Sequence, residues 1–118
     1  MKKFDLERRT FLFAKEVRLL SKEVPRTLAN IEDLKQLIRS SGSVGANYIE
    51  ANDSLGDKDF LMRLRICRKE AKESNFFLSL IYETNQDFES CRLTDLIQEG
   101  LELRKIFSKM IINRNKNK

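Results

Sequence analysis

Residues 58–84 read KDFLMRLRICRKEAKESNFFLSLIYET, and this run contains neither glycine nor proline. Its apolar residues recur every three or four positions, as they do along one face of an α-helix. The run therefore predicts a helix of about seven turns with one buried side. We expect the buried side to consist of Phe60, Leu64, Cys67, Ala71, Leu78, Ile81 and Tyr82.

The same periodicity on either side of this run predicts three more helices, at residues 6–24, 31–55 and 92–113. Pro25 should end the first helix because proline cannot donate a backbone hydrogen bond. Asn30 and Asp57 are suitable N-caps for the second and third helices, and Gly56 is a suitable stop between them. Residues 114–118 are interpreted as a frayed basic tail.

Turn-forming residues are scarce, with one proline and four glycines among 118 residues. Sandwiches and barrels need frequent turns, whereas long helices do not. The length and the 41% hydrophobic content suit one core. We therefore predict a single all-α domain over residues 1–118, folded as an antiparallel up-down-up-down four-helix bundle.

The composition argues against several function classes. The chain has no histidine, and its two cysteines, Cys67 and Cys91, lie far apart, so we predict no metal site and no cofactor. We interpret both cysteines as reduced, semi-buried packing residues. No glycine-rich phosphate loop or nucleophile elbow occurs, which indicates a protein that is not an enzyme.

No stretch holds the roughly 18 consecutive apolar residues that a membrane span needs, and the first residues, MKKFDLERRT, are charged. We expect no membrane contact and a cytoplasmic location. The net charge of +5 modestly favours an anionic partner.

A basic stripe on the third helix is the candidate nucleic-acid site. Its cations could follow a phosphate backbone, and Phe76 continues the stripe where a base could stack. The alternative is an ordinary solvated face, on which Lys69 pairs with Glu73 at i, i+4 spacing. The stripe comprises Lys58, Arg65, Arg68, Lys69, Lys72 and Phe76.

Charged residues also fall within the apolar arcs. Glu70 and Ser74 lie on the inward side of the third helix, and Arg104 lies on that of the fourth, with Leu96, Gly100, Leu103, Phe107 and Met110. Because a buried charge needs a partner, we predict a structural Glu70–Arg104 ion pair. The alternative is a catalytic carboxylate with an orienting arginine.

The second helix combines small residues with a polar stripe. Small side chains cluster around Gly45, which predicts a close helix crossing there or, as the alternative, a glycine-rich ligand loop. Arg39, Ser43, Asn47 and Glu50 form a polar stripe, either exposed or facing the third helix or another subunit. The predicted core side of this helix is Leu34, Leu37, Ile38, Ser41, Val44, Gly45, Tyr48, Ile49 and Leu55.

The first helix has two apolar seams. One contains Phe13, Val17, Leu20 and Val24, and the other contains Leu12 and Leu19. Both seams could face the same core, or Leu12 and Leu19 could meet another subunit.

Two segments, LIRSSGSVGANYIEAN (residues 37–52) and KDFLMRLRICRKEAKES (residues 58–74), closely resemble the bacterial four-helix bundle family that includes proteins encoded in 23S rRNA intervening sequences. The resemblance extends from Phe4 through the fourth helix. It implies an up-down-up-down bundle and a ring-like homopentamer, which agrees with a second seam on the first helix. It supplies no catalytic site and does not place the chain in ribosomes.

The chain also looks related to the accessory variability proteins of diversity-generating retroelements, which bind nucleic acid and reverse transcriptase through a basic pentamer surface. The leading hypothesis is accordingly a non-enzymatic homo-oligomer that binds RNA or DNA. The alternative is a scaffold for a protein partner, on which the basic stripe is merely solvated. The resemblance further implies polar contacts, between helices or subunits, by Arg39, Ser40, Ser43, Asn47, Glu50 and Glu73.

Overall fold

Four long helices account for most of the chain in the computed structural model, which describes residues 3–116. The connections between them are residues 22–27, 53–56 and 85–90, each too short for anything but an antiparallel return. The prediction of an all-α, up-down-up-down bundle is confirmed. The helices are α1 (Lys3–Ser21), α2 (Leu28–Asn52), α3 (Asp57–Thr84) and α4 (Cys91–Lys116).

The helices form a closed square in which α3 packs most extensively on α2 and α4. Helix α1 also packs on α2 and α4, so α1 and α3 lie diagonally across the bundle. The bundle measures 49 × 20 × 18 Å, and its core runs along the whole length. Large side chains from all four helices fill it, including Phe13, Leu37, Tyr48, Leu64 and Phe107.

The starts of α2 and α3 differ from the predictions. Helix α2 begins at Leu28 because the side chain of Thr27 accepts a hydrogen bond from the Asn30 backbone N–H at 3.1 Å, so the predicted cap at Asn30 is wrong. Asn30 is instead buried, and its amide exchanges hydrogen bonds with the Asn85 amide at 2.7 and 2.9 Å. Gly56, not Asp57, precedes α3, with a φ of 123° that favours glycine.

The helix ends also shift. Helix α1 ends at Ser21, and the chain turns before it reaches Pro25, although Val24 is still buried. Helix α2 ends at Asn52, which leaves the predicted core residue Leu55 98% exposed in the following connection. Residues 114–116 continue α4, so the predicted fraying there is wrong, and residues 117–118 of that tail lie outside the described residues.

The predicted inward faces are correct for most positions but are slightly misaligned. Ile49 and Tyr82 are about half exposed, because their neighbours Tyr48 and Ile81 take the inward positions and one residue turns a helix by about 100°. The prediction also omitted several buried residues, namely Leu6, Ser40, Ala51, Leu61, Asn75, Leu93 and Ile111.

Two glycines lie where a residue of a neighbouring helix occupies the space of a side chain. A Cβ atom at Gly45 would lie 3.2 Å from the Thr10 hydroxyl oxygen, so the predicted close crossing at Gly45 is confirmed and α1 is the crossing helix. The approach at Gly100 is tighter still, because a Cβ there would collide with the Asn75 side-chain amide of α3. The Asn75 amide therefore fills the space beside Gly100 that a side chain at this position would need.

Candidate nucleic-acid interface

An ion-pair cluster joins α2 to α3. The Arg39 guanidinium donates to Glu70 at 3.0 Å and also pairs with Glu73. Hydrogen bonding to Glu73 is the main reason that the pKa of Arg39 is raised, and Glu70 acts in the same direction. Glu70 is only 5% exposed, so this arginine neutralises a buried carboxylate.

The predicted Glu70–Arg104 pair is therefore wrong. The inward position of Glu70 was predicted correctly, but its cation comes from α2 and not from α4. Helical periodicity shows that a side chain faces the core, and it does not show which neighbouring helix the side chain meets. The expected pairing of Lys69 with Glu73 is wrong as well, because Glu73 pairs with Arg39 of α2.

Further polar contacts extend along the same two helices. The hydroxyls of Ser40 and Ser74 lie 2.8 Å apart, and Asn47 accepts a hydrogen bond from Arg63 at 2.9 Å. Ser43 accepts from the Asn47 amide, whereas the side chain of Glu50 is exposed. The polar stripe of α2 thus contacts α3 through Arg39 and Asn47, and Ser43 supports Asn47 from within α2. We call this contact the α2–α3 polar seam, comprising Arg39, Ser40, Ser43, Asn47, Arg63, Glu70, Glu73 and Ser74.

The two cysteines have different surroundings. Cys67 is fully buried, and its thiol donates to the Val44 carbonyl at 3.4 Å. Burial raises the pKa of the Cys67 thiol to about 12, so the group stays protonated and unreactive. Cys91 is a free, exposed thiol at the first residue of α4, so its predicted semi-burial is wrong.

The opposite side of α3 forms a groove with α4. Its volume is about 890 Å³, and its lining contains seven cationic side chains and no carboxylate. Such a surface concentrates positive potential between two walls. We call it the α3–α4 groove, lined by Arg65, Arg68, Lys69 and Lys72 from α3 and by Leu101, Arg104, Lys105, Ser108, Lys109 and Ile112 from α4.

The cations of the α3–α4 groove have almost no partners within the chain. Lys105 lies 3.5 Å from Glu102, an exposed pair of the kind that contributes little. Over residues 3–116, no carboxylate lies within ion-pair distance of the other six cations. Their charge is therefore available to an external anion.

The structure brings together four of the six predicted stripe residues, namely Arg65, Arg68, Lys69 and Lys72. Lys58 is exposed and does not line the groove. Phe76 is 60% exposed and lines a neighbouring depression of about 470 Å³, which also includes Lys69 and Lys72. The α3 cations therefore border both the groove and the aromatic ring.

The prediction missed the half of the groove that α4 supplies. The predicted stripe contains neither Lys105 nor Lys109, and the predicted role of Arg104 is an ion pair. A sequence signal existed, because Lys105 and Lys109 are four residues apart and so share one helix face with the adjacent Arg104. That this face lies beside the α3 stripe follows only from the packing of α4 on α3.

The second seam of α1 is partly covered within the chain. Leu12 lines a narrow cleft of about 170 Å³ between α1 and α4, and both Leu12 and Leu19 are half-buried. Two arginine clusters bridge this cleft, Arg9 with Glu99 and Arg92 with Glu16 and Glu23. A contact of Leu12 and Leu19 with another subunit stays a prediction.

Residues 3–116 contain neither a cluster of metal-ligating side chains nor a membrane-spanning helix. No three histidine, cysteine or carboxylate side chains in that range converge as metal ligands would. No helix within it combines the length and apolarity that crossing a membrane requires.

Comparisons with known proteins agree with the fold. A family model described as 23S rRNA-intervening sequence protein matches residues 2–109. A crystal structure of a protein of unknown function from the S23 ribosomal protein family of Bacteroides thetaiotaomicron is similar, with 26% identity and a TM-score of 0.76. The similarity covers 89% of this chain and 96% of that one. No curated protein matches the chain. The relation to the accessory variability proteins of retroelements stays a prediction.

Proposed function

The chain belongs to the 23S rRNA-intervening sequence protein family, and we propose that it is a non-enzymatic, homo-oligomeric protein that binds RNA or DNA through the α3–α4 groove. The observation that carries this proposal is the composition of the groove, with seven cations and no carboxylate. Charges that the fold needs are already paired in the α2–α3 polar seam. The groove cations have no comparable role within the chain.

Phosphate contacts of this kind give affinity with little sequence preference. Arginine and lysine side chains both bind phosphate oxygens, and arginine does so with two parallel hydrogen bonds. The groove offers three arginines, Arg65, Arg68 and Arg104, together with four lysines. This mixture suits a flexible phosphate backbone better than a single small anion.

Oligomerisation would strengthen the binding of nucleic acid by a chain whose own net charge is small. One chain carries a net charge of +5, and a ring would present several copies of the groove to one nucleic acid. We propose a homopentamer whose subunits meet along Leu12 and Leu19, two half-buried residues on the helix diagonal to α3.

We place the protein in the cytoplasm. Both cysteines are free thiols, which suits a reducing compartment.

The test of groove binding replaces Arg65, Arg68, Lys69 and Lys72 together by Gln and measures the affinity for labelled RNA across a salt series. The parent should bind with a steep salt dependence, and each lost phosphate contact should lower the slope of log K against log salt by roughly 0.7 to 0.9. A matched variant should keep the parent slope. It removes the same charge from exposed positions elsewhere, Arg18, Lys22, Arg26 and Lys35.

Equal slopes for the parent and the groove variant would contradict nucleic-acid binding by the groove. So would a parent that retains no RNA or DNA at about 50 mM salt, where such contacts are strong. In either case the basic groove is solvated surface, and a scaffold that binds a protein partner replaces the proposal.

The oligomer is tested by light scattering at tens of micromolar protein. The parent should have five times the 13.9 kDa chain mass. Leu19→Glu should dissociate it while the helical circular dichroism persists, because a charge cannot be buried in an apolar interface without a partner. The control is Leu28→Glu at the first residue of α2, where the side chain is 82% exposed. A one-chain mass for the parent would refute the assembly.

A further inference from the structure

The α3–α4 groove contains apolar surface as well as charge. Leu101 and Ile112 of α4 are 38% and 52% exposed and lie among the cations. Phosphate groups gain nothing from such residues, whereas unpaired nucleobases present flat apolar faces that do. In a duplex these faces are stacked on one another and are not available.

The dimensions of the groove indicate what could enter it. Leu101 and Ile112 are eleven residues apart, which is about 16 Å along a helix. A stacked strand advances about 3.4 Å per nucleotide, so this length matches about five nucleotides. The groove is bounded by two packed helices with axes about 8–10 Å apart, too narrow for a duplex to enter.

An aromatic ring lies beside this path, in a depression whose lining also includes Gln36 and Arg39 of α2 and the carboxylate of Glu73. Phe76 follows Lys72 by one helical turn, and Lys69 and Lys72 border both the groove and the depression beside Phe76. The rings of Phe76 and Phe77 form a T-shaped pair, with centroids 5.2 Å apart and an interplanar angle of 83°. Phe77 is half-buried, so it fixes the Phe76 ring while leaving that ring 60% exposed.

We infer that the ligand is a single-stranded nucleic acid, with its phosphates along the α3–α4 groove and one base stacked on Phe76. This inference rests on the proposed function and adds the strandedness of the ligand. The cations supply the salt-dependent part of the affinity, and Phe76 supplies a part that depends on the base and not on salt. A duplex would meet only the outer cations and would leave Phe76 unused.

The experiment compares two strands of twelve residues, an oligodeoxythymidine and an abasic strand with the same phosphates. Phe76→Ala should weaken binding of the oligodeoxythymidine by between about five- and one-hundredfold and leave the abasic strand within twofold of the parent. The slope of log K against log salt should not change. Phe76→Trp, which keeps a stacking surface, should bind at least as tightly as the parent.

The matched control is Phe11→Ala, which removes a similarly exposed phenylalanine from the helix diagonal to α3. It should bind both strands as the parent does. Circular dichroism should show the same helicity for all variants, because neither ring is in the core.

Several results would overturn the inference. These are an equal loss by Phe76→Ala on both strands, no loss on either, or parent binding to a twelve-base-pair duplex as tight as to the single strand. Strand binding that depends on the groove lysines and arginines but not on Phe76 would refute the inference and keep the proposed function. A parent that binds polyglutamate and no nucleic acid would refute both and indicate an acidic protein ligand.

Discussion

Helix α3 has two polar sides, of which one contains paired charges and the other contains mostly unpaired cations. On the α2 side, Glu70 and Glu73 share Arg39, and Arg63 donates to Asn47. On the α4 side, six of the seven groove cations have no carboxylate within ion-pair distance over residues 3–116. The paired charges serve the fold, and the unpaired ones are those available to a ligand.

The two polar sides of α3 should contribute differently to the stability of the fold. A buried carboxylate such as Glu70 is tolerated only while its partner is present, so the α2–α3 polar seam depends on each of its members. The groove cations are solvated and repel one another, which slightly opposes folding. Mutations on the two sides should therefore have opposite effects on stability.

The largest expected effect on stability is at the seam. Arg39→Ala leaves Glu70 buried without a cation and should lower the free energy of unfolding by about 1 to 3 kcal/mol. The loss is limited because Arg39 itself is half exposed, so water can reach part of the vacated site. Urea unfolding at one fixed protein concentration measures it.

The control for Arg39 is Arg65→Ala on the groove side of α3. Arg65 is exposed and has no carboxylate partner, so its removal should change the free energy of unfolding by less than about 0.5 kcal/mol. Equal losses for the two variants would remove the distinction between paired and unpaired sides.

A smaller effect of opposite sign is expected in the groove. Replacing Arg65, Arg68, Lys69 and Lys72 by Gln should raise the free energy of unfolding by a few tenths of a kcal/mol at about 10 mM salt, because repulsion among the cations is relieved. The gain should disappear at about 1 M salt, where the screening length is about 3 Å. A variant less stable than the parent at low salt would mean that these residues have structural contacts.

The sequence predicted the fold well because apolar periodicity is strong in all four helices. Helix ends were less accurate, since Thr27 and Asn30 are both good caps and only the three-dimensional structure shows that Asn30 is bonded to Asn85 instead. The inward position of Glu70 was predictable, but its partner was not. Periodicity assigns a face to a residue, and the choice between α2 and α4 depends on how the helices are arranged around α3.

The candidate site was predictable only in part for the same reason. The α3 cations share a helix face and could be grouped from spacing alone. Their counterparts Arg104, Lys105 and Lys109 belong to a different helix, and nothing local relates the two faces. The residues implied by the family resemblance lie mostly in the α2–α3 polar seam, away from the groove; Arg39 and Glu73 carry its central ion pairs.

Gly100 has a consequence for selectivity that reaches beyond its own contacts. Its missing side chain lets α4 close onto Asn75 of α3, and this approach lies next to Leu101, at one end of the groove. A side chain at position 100 would have to displace this amide, so the spacing of the two rows of cations, and hence the width of a polymer that fits between them, should depend in part on a residue that would never touch the polymer. A change of ligand size could arise by exchanging this one spacer while every binding side chain is retained.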